Sequence, residues 1–249
     1  MDAIDYNVYE MGVKEKMAYT FIAAVVIFIV GFIFYRNVLL ACLLCPVALK
    51  YPKIKNKEII QKRKKALNHQ FKDLLYALAS SISAGKSVER AFADALNDLL
   101  MIYPEPNTHI IIETQIIIRK LAVNEPIEVV LQDLAKRSHL EDIENFVDVF
   151  HTCKRTGGNM VEIIKNTSNI INDKIEIKEE ITTMLSARMF EQKVLNIMPI
   201  AIIVLLSVSA ADYMAPVFST LVGRVVMTLA IILLLAAYYI SKRIMEIEV

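Results

Sequence analysis

The chain has 249 residues, of which 55% are hydrophobic and 22% are charged, and its formal net charge is +1. With a mean hydropathy of +0.45, it is too apolar for a purely soluble domain and too rich in charge to lie wholly within a membrane. We therefore expect membrane segments joined to a water-facing part, and the three cysteines exclude a disulfide framework.

Two apolar runs near the N terminus predict a membrane hairpin over residues 1–50. Residues 17–35 carry no charge, and as a helix they would extend about 28 Å, close to the thickness of a bilayer core. Residues 38–50 form a second, shorter run. It either reaches both interfaces with the help of Tyr35 and Tyr51 or re-enters the membrane and returns, and a tight hairpin is the interpretation that we favour.

A basic juxtamembrane linker follows at residues 51–65. Residues 50–65 contain eight Lys and Arg side chains and a single acid, Glu58. Short loops rich in Lys and Arg stay in the cytoplasm, so the linker predicts a cytoplasmic end for the hairpin. Nucleic acid is not expected as a partner, because the basic run lies directly beside an apolar segment. The candidate contacts for anionic lipid or an acidic protein partner are Lys62, Arg63, Lys64 and Lys65.

Residues 66–193 predict an antiparallel, all-α bundle, since apolar residues recur there at helical spacing and no alternating run is long enough for a sheet. Gly85 is expected to end one helix and Ser87 to cap the next. The sequence Ser138-His139-Leu140-Glu141 predicts a capping box. Gly157 and Gly158 are expected to end another helix, with Asn159 capping the helix that follows.

The last bundle helix continues without a breaker as far as Pro199. Along it Ile163, Ile170, Ile177 and Met184 repeat every seven residues, which predicts an apolar seam for partner helices.

The C-terminal residues 194–249 predict a second membrane hairpin. Its spans are expected at 194–211 and 221–240, joined by a short loop from Asp212 to Thr220. Lys242 and Arg243 follow the last span and mark the cytoplasmic side. The predicted fold is therefore an all-α polytopic membrane protein with a cytosolic bundle between two transmembrane hairpins.

No arrangement of residues predicts catalysis, a metal or a cofactor. The four histidines are scattered, and no zinc-binding motif is present. The stretch SSISAGKS (80–87) ends like a phosphate loop, but Ser80 replaces the first glycine and a helix rather than a strand is predicted before it. An enzyme is not expected.

Two stretches between the paired apolar segments carry a family resemblance. LASSISAGKSVERAF (78–92) and KRTGGNMVEII (154–164), together with the C-terminal membrane pair and the ending RIMEIEV (243–249), resemble the type II secretion system F-domain family. Within it the chain is most similar to the B-type platform protein of tight-adherence (Tad, or Flp) pilus machines. The similarity covers nearly all of residues 60–249.

In this comparison Gly85 and Ser87 match the family's Ala-Gly-x-Ser turn, and Gly157 and Gly158 match its second turn. Secretion members often carry a glutamate before that glycine pair. Thr156 stands there in this chain, so no role of the acid is carried over.

The resemblance implies a non-enzymatic scaffold with a single F domain and no cofactor. Its implied partners are a hexameric secretion ATPase, a homologous C-type platform protein or a second copy of the chain, and pilin-like subunits, besides membrane lipids. It would couple the ATPase to pilin extraction from the bilayer and to filament assembly, or to type II-like secretion. The alternatives are a small-molecule transporter subunit and a membrane-anchored helical enzyme.

Overall fold

The computed structural model describes residues 4–245, except for the side chains of residues 242 and 245. Every regular element in that range is a helix, which confirms the predicted all-α class. The last four residues of the ending RIMEIEV lie outside the described range, as does the side chain of the predicted topology marker Lys242. The helices are α1 Val13–Tyr35, α2 Val38–Leu44, a short 3₁₀ helix Cys45–Lys50, α3 Tyr51–Ser83, α4 Val88–Ile102, α5 His109–Ala122, α6 Ile127–Ser138, α7 Glu141–Thr156, α8 Met160–Ser209, α9 Ala211–Ser219 and α10 Leu221–Met245.

The chain forms two compact units. The helical unit comprises Met1–Glu10 and Asn56–Ile177, and the apolar unit comprises Met11–Lys55 and Lys178–Val249. These limits differ from the divisions drawn from the sequence at residues 50, 65 and 193. In particular, the N-terminal residues pack with the bundle rather than with the first apolar hairpin.

The core of the helical unit is built from the apolar stripes of α3 to α8. Phe71 of α3 meets Phe146 of α7 edge-to-face, with 5.5 Å between the ring centroids. The isoleucine-rich segment of α5 is helical, as predicted, and buries Ile110, Ile111 and Ile117 in this core. From α8 the core takes Ile164 and Ile171.

The seven-residue seam of α8 lies outside that core. Ile170 is 56% exposed and Ile177 51% exposed. A seam for partner helices therefore stays a prediction, but the chain does not cover these residues itself.

Three helices are long and apolar enough to cross a membrane: Val13–Tyr35, Met160–Ser209 and Leu221–Ser241. They are consistent with a multi-pass membrane protein. The predicted span at 38–50 is not one continuous α-helix, because it divides into α2 and the 3₁₀ helix, with Pro46 in the first turn of the latter.

The predicted loop from Asp212 to Thr220 is wrong, since α9 occupies most of it. Met214 and Phe218 of α9 are buried against Phe34 and Met227, and this burial stabilises a helix where the sequence suggested a turn. The corner between α9 and α10 needs Gly223, since a Cβ there would lie 2.3 Å from the carbonyl oxygen of Val217.

The predicted capping box at residues 138–141 is also wrong. Ser138 is fully buried inside α6, and its hydroxyl donates to the carbonyl of Ala135 at 3.1 Å. His139 then ends α6 in the left-handed conformation, with φ 48°, and Leu140 precedes α7 without a side-chain cap.

Candidate functional site

The first predicted turn joins α3 to α4. Gly85 adopts φ 79°, and its N–H donates to the carbonyl of Ile82 at 2.9 Å. The Ser87 hydroxyl accepts from the N–H of Arg90 at 3.3 Å and caps α4, as predicted. The 33-residue helix α3 precedes this turn, which is the context of a helix stop and not of a phosphate loop.

The second predicted turn joins α7 to α8. Gly157 ends α7 with φ 71°, and Asn159 accepts from the N–H of Glu162 at 3.3 Å. At Gly158 a Cβ would approach the Cys153 sulfur to 2.9 Å. Glycine at this position thus keeps the start of α8 close to the end of α7.

The two turns lie at the same end of the helical unit. Asn68 donates to Asp142 at 2.9 Å, and Phe71 packs on Phe146, so α3 and α7 run in the same direction. Gly85 lies about 21 Å from the phenylalanine pair along α3, and Gly157 lies about 17 Å from it along α7. We call this the turn end.

Helix α8 runs antiparallel to α3. Lys72 donates to Asn172 at 3.4 Å, and Tyr76 donates to Asn169 at 3.3 Å. The chain therefore enters the helical unit along α3 and leaves it along α8 at the end opposite the turn end.

The four predicted lipid or partner contacts do not form a free basic cluster. Lys62 pairs with Glu58 at 3.2 Å. The Arg63 guanidinium lies 4.2 Å from the ring centroid of Tyr9, and Lys64 contacts Asn7 at 3.4 Å. Lys65 is exposed. Two of the four side chains therefore hold the N-terminal segment, a role that the sequence did not indicate.

That segment, residues 4–10, forms what we call the N-terminal clasp. Tyr6 is completely buried, and its hydroxyl donates to Glu113 Oε1 at 3.0 Å. The Tyr6 N–H donates to the carbonyl of Arg137 at 3.0 Å, while Arg137 Nη1 donates to the carbonyl of Ile4 at 3.0 Å. The clasp is thus fixed to α5 and α6 by both its backbone and its one buried side chain.

A buried carboxylate lies at the centre of this contact. Glu113 is fully buried, and Arg137 binds it through two nitrogens, at 2.8 Å to Oε1 and 2.7 Å to Oε2. Arg137 also donates to Asp133 at 3.1 Å, and Lys120 donates to the same carboxylate oxygen at 2.9 Å. A buried charge with this many hydrogen-bond partners is compatible with a stable fold. Removal of its main partner strongly destabilises the folded protein.

The ionisation of these groups follows from their surroundings. Burial, together with the Glu113 carboxylate, raises the pKa of Tyr6, so its hydroxyl remains a donor. Burial alone would lower the pKa of Arg137, but its bonds to Glu113 and Asp133 outweigh burial and raise it. Burial and the nearby Arg63 lower the pKa of His109, whose ring meets Tyr6 edge-on at 5.4 Å. Tyr6 and His109 are therefore neutral beside the Glu113–Arg137 ion pair.

This arrangement can anchor a peptide segment, but it provides no constellation for chemistry. Glu113 and Arg137, the acid and base at its centre, are hydrogen-bonded to each other through two bonds. Among the described residues, no three His, Cys, Asp or Glu side chains are grouped as metal ligands.

One feature of the sequence could have indicated this network. Glu113 lies between two isoleucine triplets on α5, so a carboxylate was placed among core positions and needed a partner.

Comparisons with protein-family models, with curated proteins and with solved structures find no match for this chain.

Proposed function

We propose that the chain is a plasma-membrane platform subunit of a type IV pilus-like (Tad/Flp) assembly machine or a type II-like secretion machine. It acts as a scaffold that couples a cytosolic secretion ATPase to the extraction of pilin-like subunits and to filament assembly. The observation that carries this proposal is the turn end, where two glycine turns at the resemblance positions lie at the same end of one helical unit, which is flanked in the chain by apolar segments.

The turn end supports an exposed contact face for the ATPase. Lys86 and Arg155 are exposed there, next to the first and second turns. The membrane-connected ends of α3 and α8 lie at the opposite end of the helical unit.

The N-terminal clasp supports the paired membrane hairpins. Residues 4–10 and residues 56–177 pack in one unit, which supports a hairpin whose two ends lie on the same side of a bilayer. Helix α1 is long enough to cross, and in this proposal α2 with the 3₁₀ helix forms its return path. The return segment extends about 22 Å, and its flanking side chains Tyr35 and Lys50 can reach the interfaces.

The exposed seam of α8 supports a second helical subunit as partner. Ile170 and Ile177 would be covered by a homologous C-type platform protein or by another copy of this chain, which would supply the second F domain that relatives carry in one chain.

Co-purification tests this proposal. The full chain, tagged and extracted in mild detergent from cells that also express a secretion ATPase, is expected to retain the ATPase. The charge reversal Arg155→Glu at the turn end should reduce the retained ATPase about tenfold, as expected for removal of an interfacial ion pair. The matched reversal Lys136→Glu, at the exposed end of α6 opposite the turn end, should leave it unchanged. Absence of the ATPase from the wild-type complex, or ATP hydrolysis by the purified chain alone, contradicts the proposal.

A further inference from the structure

The membrane hairpin brings four lysines to one end of the apolar unit. Gly31 of α1 faces Ala41 of α2, where a Cβ on the glycine would lie 3.2 Å from the Ala41 Cα. Further along, the Cys45 sulfur lies 4.0 Å from the carbonyl of Ala24. The two arms therefore run antiparallel and in close contact.

This register aligns the lysines in pairs. Lys16 lies about 12 Å from Ala24 along α1, and Lys50 lies about 10 Å from Cys45 along the 3₁₀ helix. Lys14 lies about 15 Å from Ala24 along the first arm, and Lys53 lies about 15 Å from Cys45 along the second. Lys14, Lys16, Lys50 and Lys53 thus occupy the open end of the hairpin, and we call them the lysine rim.

The lysine rim is available for a ligand. All four side chains are exposed, and over residues 4–245 their amines make no described hydrogen bond or ion pair. Residues 11–55 contain a single acid, Glu15. With four lysines against one acid, this end of the hairpin carries a net positive charge.

Exposed apolar side chains lie at the same level. Met17 is 62% exposed and Leu49 68%. They continue the apolar surface of the hairpin, on which Phe21 is 70% exposed. A rim of cations directly above lipid-facing apolar side chains matches a phospholipid, which presents its phosphate beside its acyl chains.

We infer that the lysine rim is a binding site for the headgroups of anionic phospholipids. The inference rests on the membrane placement of the hairpin and not on the pilus or secretion role. It replaces Lys62, Arg63 and Lys64 as lipid contacts, because those side chains contact Glu58 or the N-terminal clasp.

Binding of a labelled lipid tests the inference. The full chain in detergent micelles is titrated against fluorescent phosphatidylglycerol and, separately, fluorescent phosphatidylcholine, and anisotropy gives the two Kd values. We expect phosphatidylglycerol to bind at least tenfold more tightly. Since each lysine near the headgroups contributes about fivefold, Lys50→Gln/Lys53→Gln should weaken phosphatidylglycerol binding about twenty-fivefold.

Two further variants make the result specific. Lys136→Gln/Lys165→Gln removes the same charge from exposed positions of the helical unit and should bind as the wild type does. Lys50→Arg/Lys53→Arg keeps the charge and should also retain binding, which excludes misfolding as the cause of a loss.

Three outcomes would overturn the inference. These are equal affinity for the two lipids, an equal loss in the Lys136/Lys165 variant, and displacement of the bound lipid by polyglutamate at equimolar charge, which would assign the rim to an acidic protein.

Discussion

Replacing Arg137 by alanine is expected to lower the free energy of unfolding of the helical unit by about 3–5 kcal/mol. The substitution removes both bonds to the Glu113 carboxylate, which is fully buried. It also removes the bond to the carbonyl of Ile4 that holds the N-terminal clasp. The carboxylate then keeps Tyr6 as its remaining described donor, which does not compensate a buried negative charge.

Native-state hydrogen exchange of the α5 and α6 amides, on the full chain in nanodiscs, measures this loss. The matched control is Lys154→Ala, which breaks the pair with Glu128 at 2.8 Å. That lysine is 46% exposed, so its loss should change the free energy by less than about 1 kcal/mol. If the two variants lose the same stability, the buried pair does not have the role assigned to it.

A double substitution separates charge from packing. In Glu113→Leu/Arg137→Met no charge is left buried, so most of the stability lost in Arg137→Ala should return. The hydrogen bond to Ile4 would still be missing, and the exchange protection of the clasp should therefore recover less than that of α5.

Replacing Tyr6 by alanine is expected to cost about 3–5 kcal/mol, through the cavity it leaves and the lost bond to Glu113. Tyr6→Phe keeps the ring and removes only the hydroxyl, which should cost about 1–3 kcal/mol because the bond is to a buried charged acceptor. Both variants should release residues 4–10 from the helical unit. Exchange protection of the Tyr6 amide, which donates to the carbonyl of Arg137, reports that release.

The control for the hydroxyl is Tyr76→Phe. Tyr76 is 44% exposed, and its hydroxyl donates to Asn169 at 3.3 Å, so water can replace that bond. We expect a change within about 0.5 kcal/mol. Equal effects of Tyr6→Phe and Tyr76→Phe would show that burial of the Tyr6 hydroxyl adds nothing to stability.

Local signals in the sequence predicted the helices and both turns of the helical unit. Gly85 and Gly157 are in the left-handed conformation, where glycine is favoured, and Ser87 and Asn159 cap the helices that follow. Each of these features depends on residues only a few positions apart, which is why pattern and composition were sufficient.

The features that the sequence did not predict depend on distant contacts. The bond between Tyr6 and Glu113 joins residues 107 positions apart, so no local pattern marked residues 4–10 as part of the helical unit. Helix α9 is stabilised by burial against α1 and α10. The local sequence from Asp212 to Thr220, taken alone, predicted a loop. The partners of Arg63 and Lys64 likewise come from the clasp, which removed them from the predicted free basic cluster.

The clasp also connects stability to topology. It ties the chain before α1 to helices that follow the 3₁₀ segment, which supports the proposed hairpin with both ends on one side of the membrane. In the proposed platform that side is the cytoplasm.

Cysteine accessibility in intact cells tests this arrangement most directly. With Cys42, Cys45 and Cys153 replaced by alanine, single cysteines are introduced as Val8→Cys in the clasp and Ser87→Cys at the turn end. The account predicts that a membrane-impermeant maleimide labels neither cysteine in intact cells and labels both once the cells are opened. Labelling of either cysteine from outside intact cells would contradict it.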